Sequence, residues 1–272
     1  MGKSWGFSVI LFAALATNLA HASQMISFTT SDGERVDGDW YSGSPNPSAI
    51  AIVAPGFAQH RQTKVMKSLC EDLSKTMDSF CLDFRGTGTS TGFYTFGEKE
   101  PQDLQPVLDW AAAHYQTVNL IGLSLGAYSA GRAAYLWPKN VSKLLLISCP
   151  TSVEDIVTSG GIFDSIFASV TDPGAPELRT GADWFFRWGF IFGEKPDLSE
   201  LGSQVSTPAS FLIGGQDHLV FENLSRQVYD SFAGEKSWDV FPQGGHAESM
   251  LIQNAPAFEQ WIVSHLQTRP AE

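Results

Sequence analysis

The sequence predicts an α/β protein: a doubly wound, mostly parallel sheet with an N-terminal antiparallel hairpin and a cap insertion. Three observations carry this. Short continuous apolar runs, "AIAIVAP" (49–55), "TVNLIGL" (117–123), "VSKLLLISC" (141–149) and "ASFLIGG" (209–215), have the length of strands buried on both faces. Helical-period segments alternate with them, as crossover connections between parallel strands require. The alternation breaks between about residues 150 and 206 and then resumes, which marks an insertion over one end of the sheet and not a second independent domain.

The first 22 residues stand apart from the fold. Lys3 gives a positive start, Phe7 to Ala20 form an apolar stretch, and Ala20-His21-Ala22 reads as an A-x-A cleavage site before Ser23. The run is short for a bilayer about 30 Å thick, so a cleaved signal peptide is expected in place of an anchor. The mature chain, residues 23–272, is then exported to a periplasm or beyond, with no stable membrane insertion after cleavage.

The elements follow in order. "MISFTTSDGERVDGDWYSG" (25–43) holds two β-prone runs around Ser31-Asp32-Gly33, an Asp-Gly hairpin signal. The loop "SPNPS" leads to the strand at 49–55. "TKVMKSLCEDLSKTM" (63–77) has a helical apolar period and "SFCLDF" (79–84) is strand-like. "DLQPVLDWAAAHY" (103–115) is helical and 117–123 is a strand. "SLGAYSAGRAAYLW" (124–137) is a small-residue helix stopped by Pro138, and 141–149 is again a buried strand. After the insertion come the strand at 209–215, the helix "FENLSRQVYDSF" (221–232), the strand "KSWDVFP" (236–242) and the helix "PAFEQWIVSHL" (256–266).

Composition narrows the function. The chain carries 17 basic and 29 acidic residues, a formal charge of −12. Nucleic-acid partners require a basic face, so they are excluded, and a small-molecule ester or acyl substrate suits the chain better. There are three cysteines. An oxidising compartment permits one disulfide, with Cys70 and Cys81 the pair nearest in sequence; the alternative is that all three are small buried apolar residues. Cys149 is expected to be buried and free. Neither C-x-x-C nor a Cys/His ligand spacing occurs, so no structural metal is expected, and the chemistry below needs no cofactor.

That chemistry centres on "GLSLG" (122–126). Ser124 falls between a buried strand and a small-residue helix, the setting of a nucleophile held on a tight turn. The amides and dipole of the helix start point to where negative charge develops during acyl transfer. A serine hydroxyl needs a base, itself oriented by an acid. His246, in "FPQGGHAES" after the last strand, is the expected base; His60, His114, His218 and His265 sit in less suitable places. Asp217, in "FLIGGQDHLVF", is the expected acid. Glu248 is a weaker acid candidate, because it lies too near His246 in sequence to orient it. The expected oxyanion donors are the backbone amides of Leu125, beside the nucleophile, and Phe57, in "VAPGFAQ".

With these residues in place the chain resembles the α/β-hydrolase superfamily over about residues 25 to 267. The motifs are "GLSLG", "GGQDHLV", "GGHAE", "APGF" and "LDFRGTGTSTG". Family members often carry His-Gly at the oxyanion loop, where this chain has Pro55-Gly56. The resemblance implies that Asp83 and Arg85 fix a loop near the site and do no chemistry. It also implies a serine nucleophile, no metal and two-step acyl transfer, with carboxylic esters as the leading substrates. Thioesterase, acyltransferase and peptidase activities of the same fold are the alternatives, and a non-catalytic binding member is the reading from another class. The aromatic tract "DWFFRWGFIFGEK" (183–195) places Trp184, Phe186 and Trp188 as candidates for an apolar acyl pocket, or as rings that pack the cap on the sheet.

Overall fold

The computed structural model describes residues 23–158 and 195–267. Eight strands form one sheet: β1 (Ser23–Thr29), β2 (Arg35–Tyr41), β3 (Ala49–Ala54), β4 (Asp78–Leu82), β5 (Thr117–Leu123), β6 (Lys143–Ile147), β7 (Ala209–Gly214) and β8 (Lys236–Phe241). Their spatial order is β1-β2-β4-β3-β5-β6-β7-β8. β1/β2 and β2/β4 are antiparallel and every later pairing is parallel. The hairpin turns where Asp-Gly predicts it, with Gly33 at φ 89° and the Thr30 amide donating to the Glu34 carbonyl at 2.8 Å.

Strand periodicity sorts the core into two layers, because successive side chains point to opposite faces. Ile50, Ile52 and Ala54 of β3 join Val118 and Leu120 of β5 and Leu144 and Leu146 of β6 on one face. Ala49, Ala51, Val53, Ile121, Leu123, Leu145 and Ile147 pack on the other. The first face is covered by α2 (Glu100–His114), α3 (Leu125–Leu136) and α6 (Glu222–Ser231); the second by α1 (Lys64–Leu73) and α7 (Ala247–Gln267). Two short helices, α4 (Val153–Thr158) and α5 (Leu198–Leu201), lie just inside the two ends of the predicted insertion. Each aliphatic side chain buried this way contributes about 1.5–3 kcal/mol. The uniformly apolar strands are therefore the main source of stability.

The last helix corrects the sequence reading. It begins at Ala247 and runs through Pro256, where the sequence places its start. A mid-helix proline removes one amide and crowds the carbonyl four residues back. That residue is Ile252, 70% exposed, so the penalty falls on the solvent side of α7. Helix α2 likewise begins three residues early, at Glu100, with Pro101 in its first turn, where a missing amide costs nothing.

Cys70 and Cys81 are joined as a disulfide, with Cα atoms 6.1 Å apart, tying α1 to β4. Cys149 is free and buried, and burial pushes its thiol pKa upward. Both ends of the predicted insertion are anchored: the Leu198 amide donates to the Thr151 carbonyl at 2.8 Å, and the Tyr128 hydroxyl to the Pro196 carbonyl at 2.8 Å. Leu198 and Val205 belong to the core. Among the described residues no helix is long and apolar enough to cross a membrane. The predicted leader, residues 1–22, lies outside the described residues.

Candidate active site

Ser124 sits in the turn from β5 to α3 at φ 53° and ψ −121°. A non-glycine residue held in such a conformation costs about 1–3 kcal/mol, so the surroundings must impose it. The Ser124 amide donates to the Ile147 carbonyl at 2.9 Å. The flanking glycines are required by contact: a Cβ on Gly122 would lie 2.4 Å from the Ala127 Cα, and one on Gly126 would lie 2.2 Å from the Ala54 carbonyl oxygen. The motif therefore lets α3 start hard against the end of β3.

Asp217 follows β7 and His246 follows β8, and these neighbouring strands bring their loops together. The Gln216 amide donates to the Gly244 carbonyl at 2.8 Å, and a Cβ on Gly214 would strike the Gly245 carbonyl at 2.1 Å. Three sequence-predicted side chains meet as a result. His246 Nε2 stands 2.8 Å from Ser124 Oγ, and His246 Nδ1 stands 3.0 and 2.9 Å from the two carboxylate oxygens of Asp217. Asp217 Oδ1 also accepts from the amides of Leu219 at 3.0 Å and Val220 at 2.9 Å, which fix the carboxylate plane.

The electrostatics follow from burial and pairing. Burial alone would raise the Asp217 pKa, but the bonds from His246, the Val220 amide and Ser148 outweigh it and hold the carboxyl below its ordinary value. Burial alone would lower His246; the hydrogen bond and charge of Asp217 raise it above the ordinary imidazole value.

The predicted oxyanion donors lie at the same end of the sheet. Ala54, the last residue of β3, pairs with Gly122, and the carbonyls of Ala54 and Pro55 pack on Gly126, so the Phe57 loop abuts the start of α3. Neither the Phe57 nor the Leu125 amide is spent on a hydrogen bond among the described residues. The Phe57 ring is held by Phe96, stacked at 5.2 Å, and by Tyr94, edge-on at 5.5 Å.

The motif read as scaffold forms a buried ionic network. Arg85, 2% exposed, binds Asp103 and Asp32, while Arg61 pairs with Asp39 and Asp83. Asp83 also receives the Arg61 amide at 2.7 Å and the Thr89 amide at 3.1 Å. Two of the other described histidines are held elsewhere: His114 bonds the Trp110 carbonyl and His265 that of Trp261. Among the described residues no group of three His, Cys, Asp or Glu side chains is arranged to hold a metal ion. Trp184, Phe186 and Trp188 lie outside the described residues.

One contact in the site goes unnoticed in the sequence. Ser148, directly after β6, is fully buried at φ 49°. Its Oγ accepts the Ala247 amide at 3.1 Å, and its hydroxyl helps hold the Asp217 carboxyl below its ordinary value. It thus links the acid to the residue after the histidine. Its place at the carboxyl end of a predicted strand was the available signal.

Solved structures of similar fold include the esterase Pf2001 of Pyrococcus furiosus, with a TM-score of 0.75 and 20% identity over 95% of each chain. An esterase from Exiguobacterium antarcticum matches with a TM-score of 0.68 and 16% identity, over 89% of this chain and 99% of that one. Est1E from Butyrivibrio proteoclasticus, solved with ferulic acid bound, matches at 0.64 and 15%, over 89% and 100%. A search of curated proteins finds no match. The model of the alpha/beta hydrolase family matches residues 51–260, a span that begins in β3 and includes Ser124, Asp217 and His246. With that match over well more than half its length, on a sheet of this order, the chain belongs to the alpha/beta hydrolase family.

Proposed function

We propose that the protein is a serine hydrolase that cleaves carboxylic esters through an acyl-enzyme intermediate, with Ser124 as nucleophile, His246 as base and Asp217 as its orienting acid. The observation that supports this most is the unbroken hydrogen-bonded path from Ser124 Oγ through both ring nitrogens of His246 to Asp217. His246 Nε2 takes the Ser124 proton as Oγ attacks the acyl carbonyl. The oxyanion is received by the Leu125 and Phe57 amides, and Asp217 stays ionised to stabilise the imidazolium. His246 then protonates the leaving alcohol. A water, deprotonated by the same nitrogen, releases the acid and restores Ser124.

An ester, and not an amide or thioester, is favoured by the company of esterases among the structures of similar fold. Trp184, Phe186 and Trp188 are, on the sequence pattern, our candidates for the acyl pocket; quenching of tryptophan fluorescence by a bound fatty-acyl phosphonate tests them. Export is part of the same reading, supported by the Cys70–Cys81 bridge, which belongs to an oxidising compartment.

The deciding experiment pairs a fluorophosphonate probe with a substrate panel. Wild type should be labelled and Ser124→Ala should not, with turnover of nitrophenyl esters reduced by about 10⁴-fold or more. Equal labelling of both proteins, or of neither, would remove Ser124 from its role. Faster turnover of matched thioesters or aminoacyl amides than of esters would overturn the ester assignment.

A further inference from the structure

The carboxyl of Glu248 is the polar group at this site that no step above uses. It stands two residues after His246, in the first turn of α7, and although the residue is part-exposed its Oε1 is sealed without a hydrogen-bond partner among the described residues. It occupies a notch at Gly56, the residue before the Phe57 amide. A Cβ on Gly56 would lie 2.1 Å from Glu248 Oε1 and 3.1 Å from its carboxyl carbon, and 3.3 Å from the Leu123 carbonyl oxygen. Gly56 is therefore glycine because a carboxyl takes the space of a side chain. That carboxyl borders the oxyanion loop, the residue before the nucleophile and the loop of the base.

We propose, resting on the serine-hydrolase reading, that Glu248 is a positioning residue: as a neutral carboxylic acid it fills the notch at Gly56 and braces the oxyanion loop against the histidine loop. A buried carboxyl oxygen with no hydrogen-bond partner among the described residues suits a neutral acid better than a carboxylate, whose charge it would leave unpaired. An ionised carboxylate in the same notch would oppose the negative charge that develops on the acyl oxygen at the neighbouring Phe57 amide.

The groups facing it are His246 and Asp217 from the two loops, the Tyr94 phenol, the Gly56 amide and the Leu123 carbonyl. Burial pushes the Glu248 carboxyl above the ordinary glutamate value and Asp217 adds to the rise, while His246 and the Gly56 amide oppose it.

The test follows the rate of Ser124 phosphonylation from pH 5 to 10, which requires no knowledge of the natural substrate. Wild type should rise as His246 loses its proton and fall again as Glu248 ionises. Glu248→Gln keeps the shape without the charge. On the alkaline side of the wild-type maximum it should label faster than wild type by about threefold or more. Glu248→Ala empties the notch and should slow labelling about tenfold at every pH, with Gln restoring the rate. Superimposable profiles for wild type and Glu248→Gln overturn the proposal. An acid limb moved to lower pH with the alkaline limb intact also overturns it, since that reports an ionised Glu248. Equal loss in both variants with an unaltered profile reduces the residue to packing and overturns it as well. Failure of wild type to label at Ser124 is a different result, removing the hydrolase reading and this proposal together.

Discussion

The base and acid depend on each other through opposite shifts. On the proposed mechanism neutral His246 is the working form, and its pKa is raised, so activity should be lost as pH falls through a value above the ordinary 6.5. Asp217→Asn removes the bond and charge that raise it. The acid limb should then move to lower pH while kcat drops by about 10⁴-fold, a loss of the wrong-tautomer kind. A steady-state pH profile of both proteins checks the sign. Ser148 should matter less but measurably, because its hydroxyl helps keep Asp217 ionised and its Oγ holds the Ala247 amide beside His246. Ser148→Ala should lower kcat about tenfold with a smaller change in KM; unchanged kcat would assign the bond to packing alone. Ser124, Asp217 and His246 were legible in the sequence because each follows a recognisable apolar run, and strand ends converge in a parallel sheet. Ser148 was not, and Glu248 was read only as a weaker candidate for the acid, not as a neighbour of Gly56. Their partners lie on other loops, at contacts that only the assembled sheet creates.

At the scale of elements, the strands were read well and the helix limits less well. Continuous apolar runs mark β3, β5, β6 and β7, whose residues are nearly all buried on both faces. The place of β4 between β2 and β3 has no local signature, and Pro256 reads as a boundary although α7 runs through it. At Gly126, α3 packs directly on the end of β3. Gly126→Ala would place a methyl 2.2 Å from the Ala54 carbonyl oxygen. It should destabilise the protein by about 1–3 kcal/mol and displace the Leu125 amide, seen together as a lower melting temperature and slower labelling of Ser124. A variant that melts and labels as wild type does would contradict this account of the motif.

For the whole molecule, one covalent link spans the face that carries α1. The Cys70–Cys81 bridge closes a short loop, and its removal in a Cys70→Ala, Cys81→Ala variant should cost about 3 kcal/mol, roughly 6–12 °C in melting temperature. Wild type under reducing conditions should melt like the variant, and a difference between them would separate the bridge from the packing of its sulfurs. The other overall feature is the way the chain leaves and rejoins the fold around the insertion. The Leu198 amide meets the Thr151 carbonyl at 2.8 Å, and Leu198 is itself in the core. Departure and return therefore share one doorway. Closing a chain on such a pinned pair costs entropy that grows only with the logarithm of the loop's length. Val153 and Ile156, just past the departure, still pack in the core. Exchange is therefore expected to be tolerated only beyond them: tracts of different length spliced between Thr158 and Lys195 should leave strand register and the approach of Ser124 to His246 intact. On the proposed function, such a joint would make the machinery that breaks bonds separable, as a unit of inheritance or of engineering, from whatever chooses the bond.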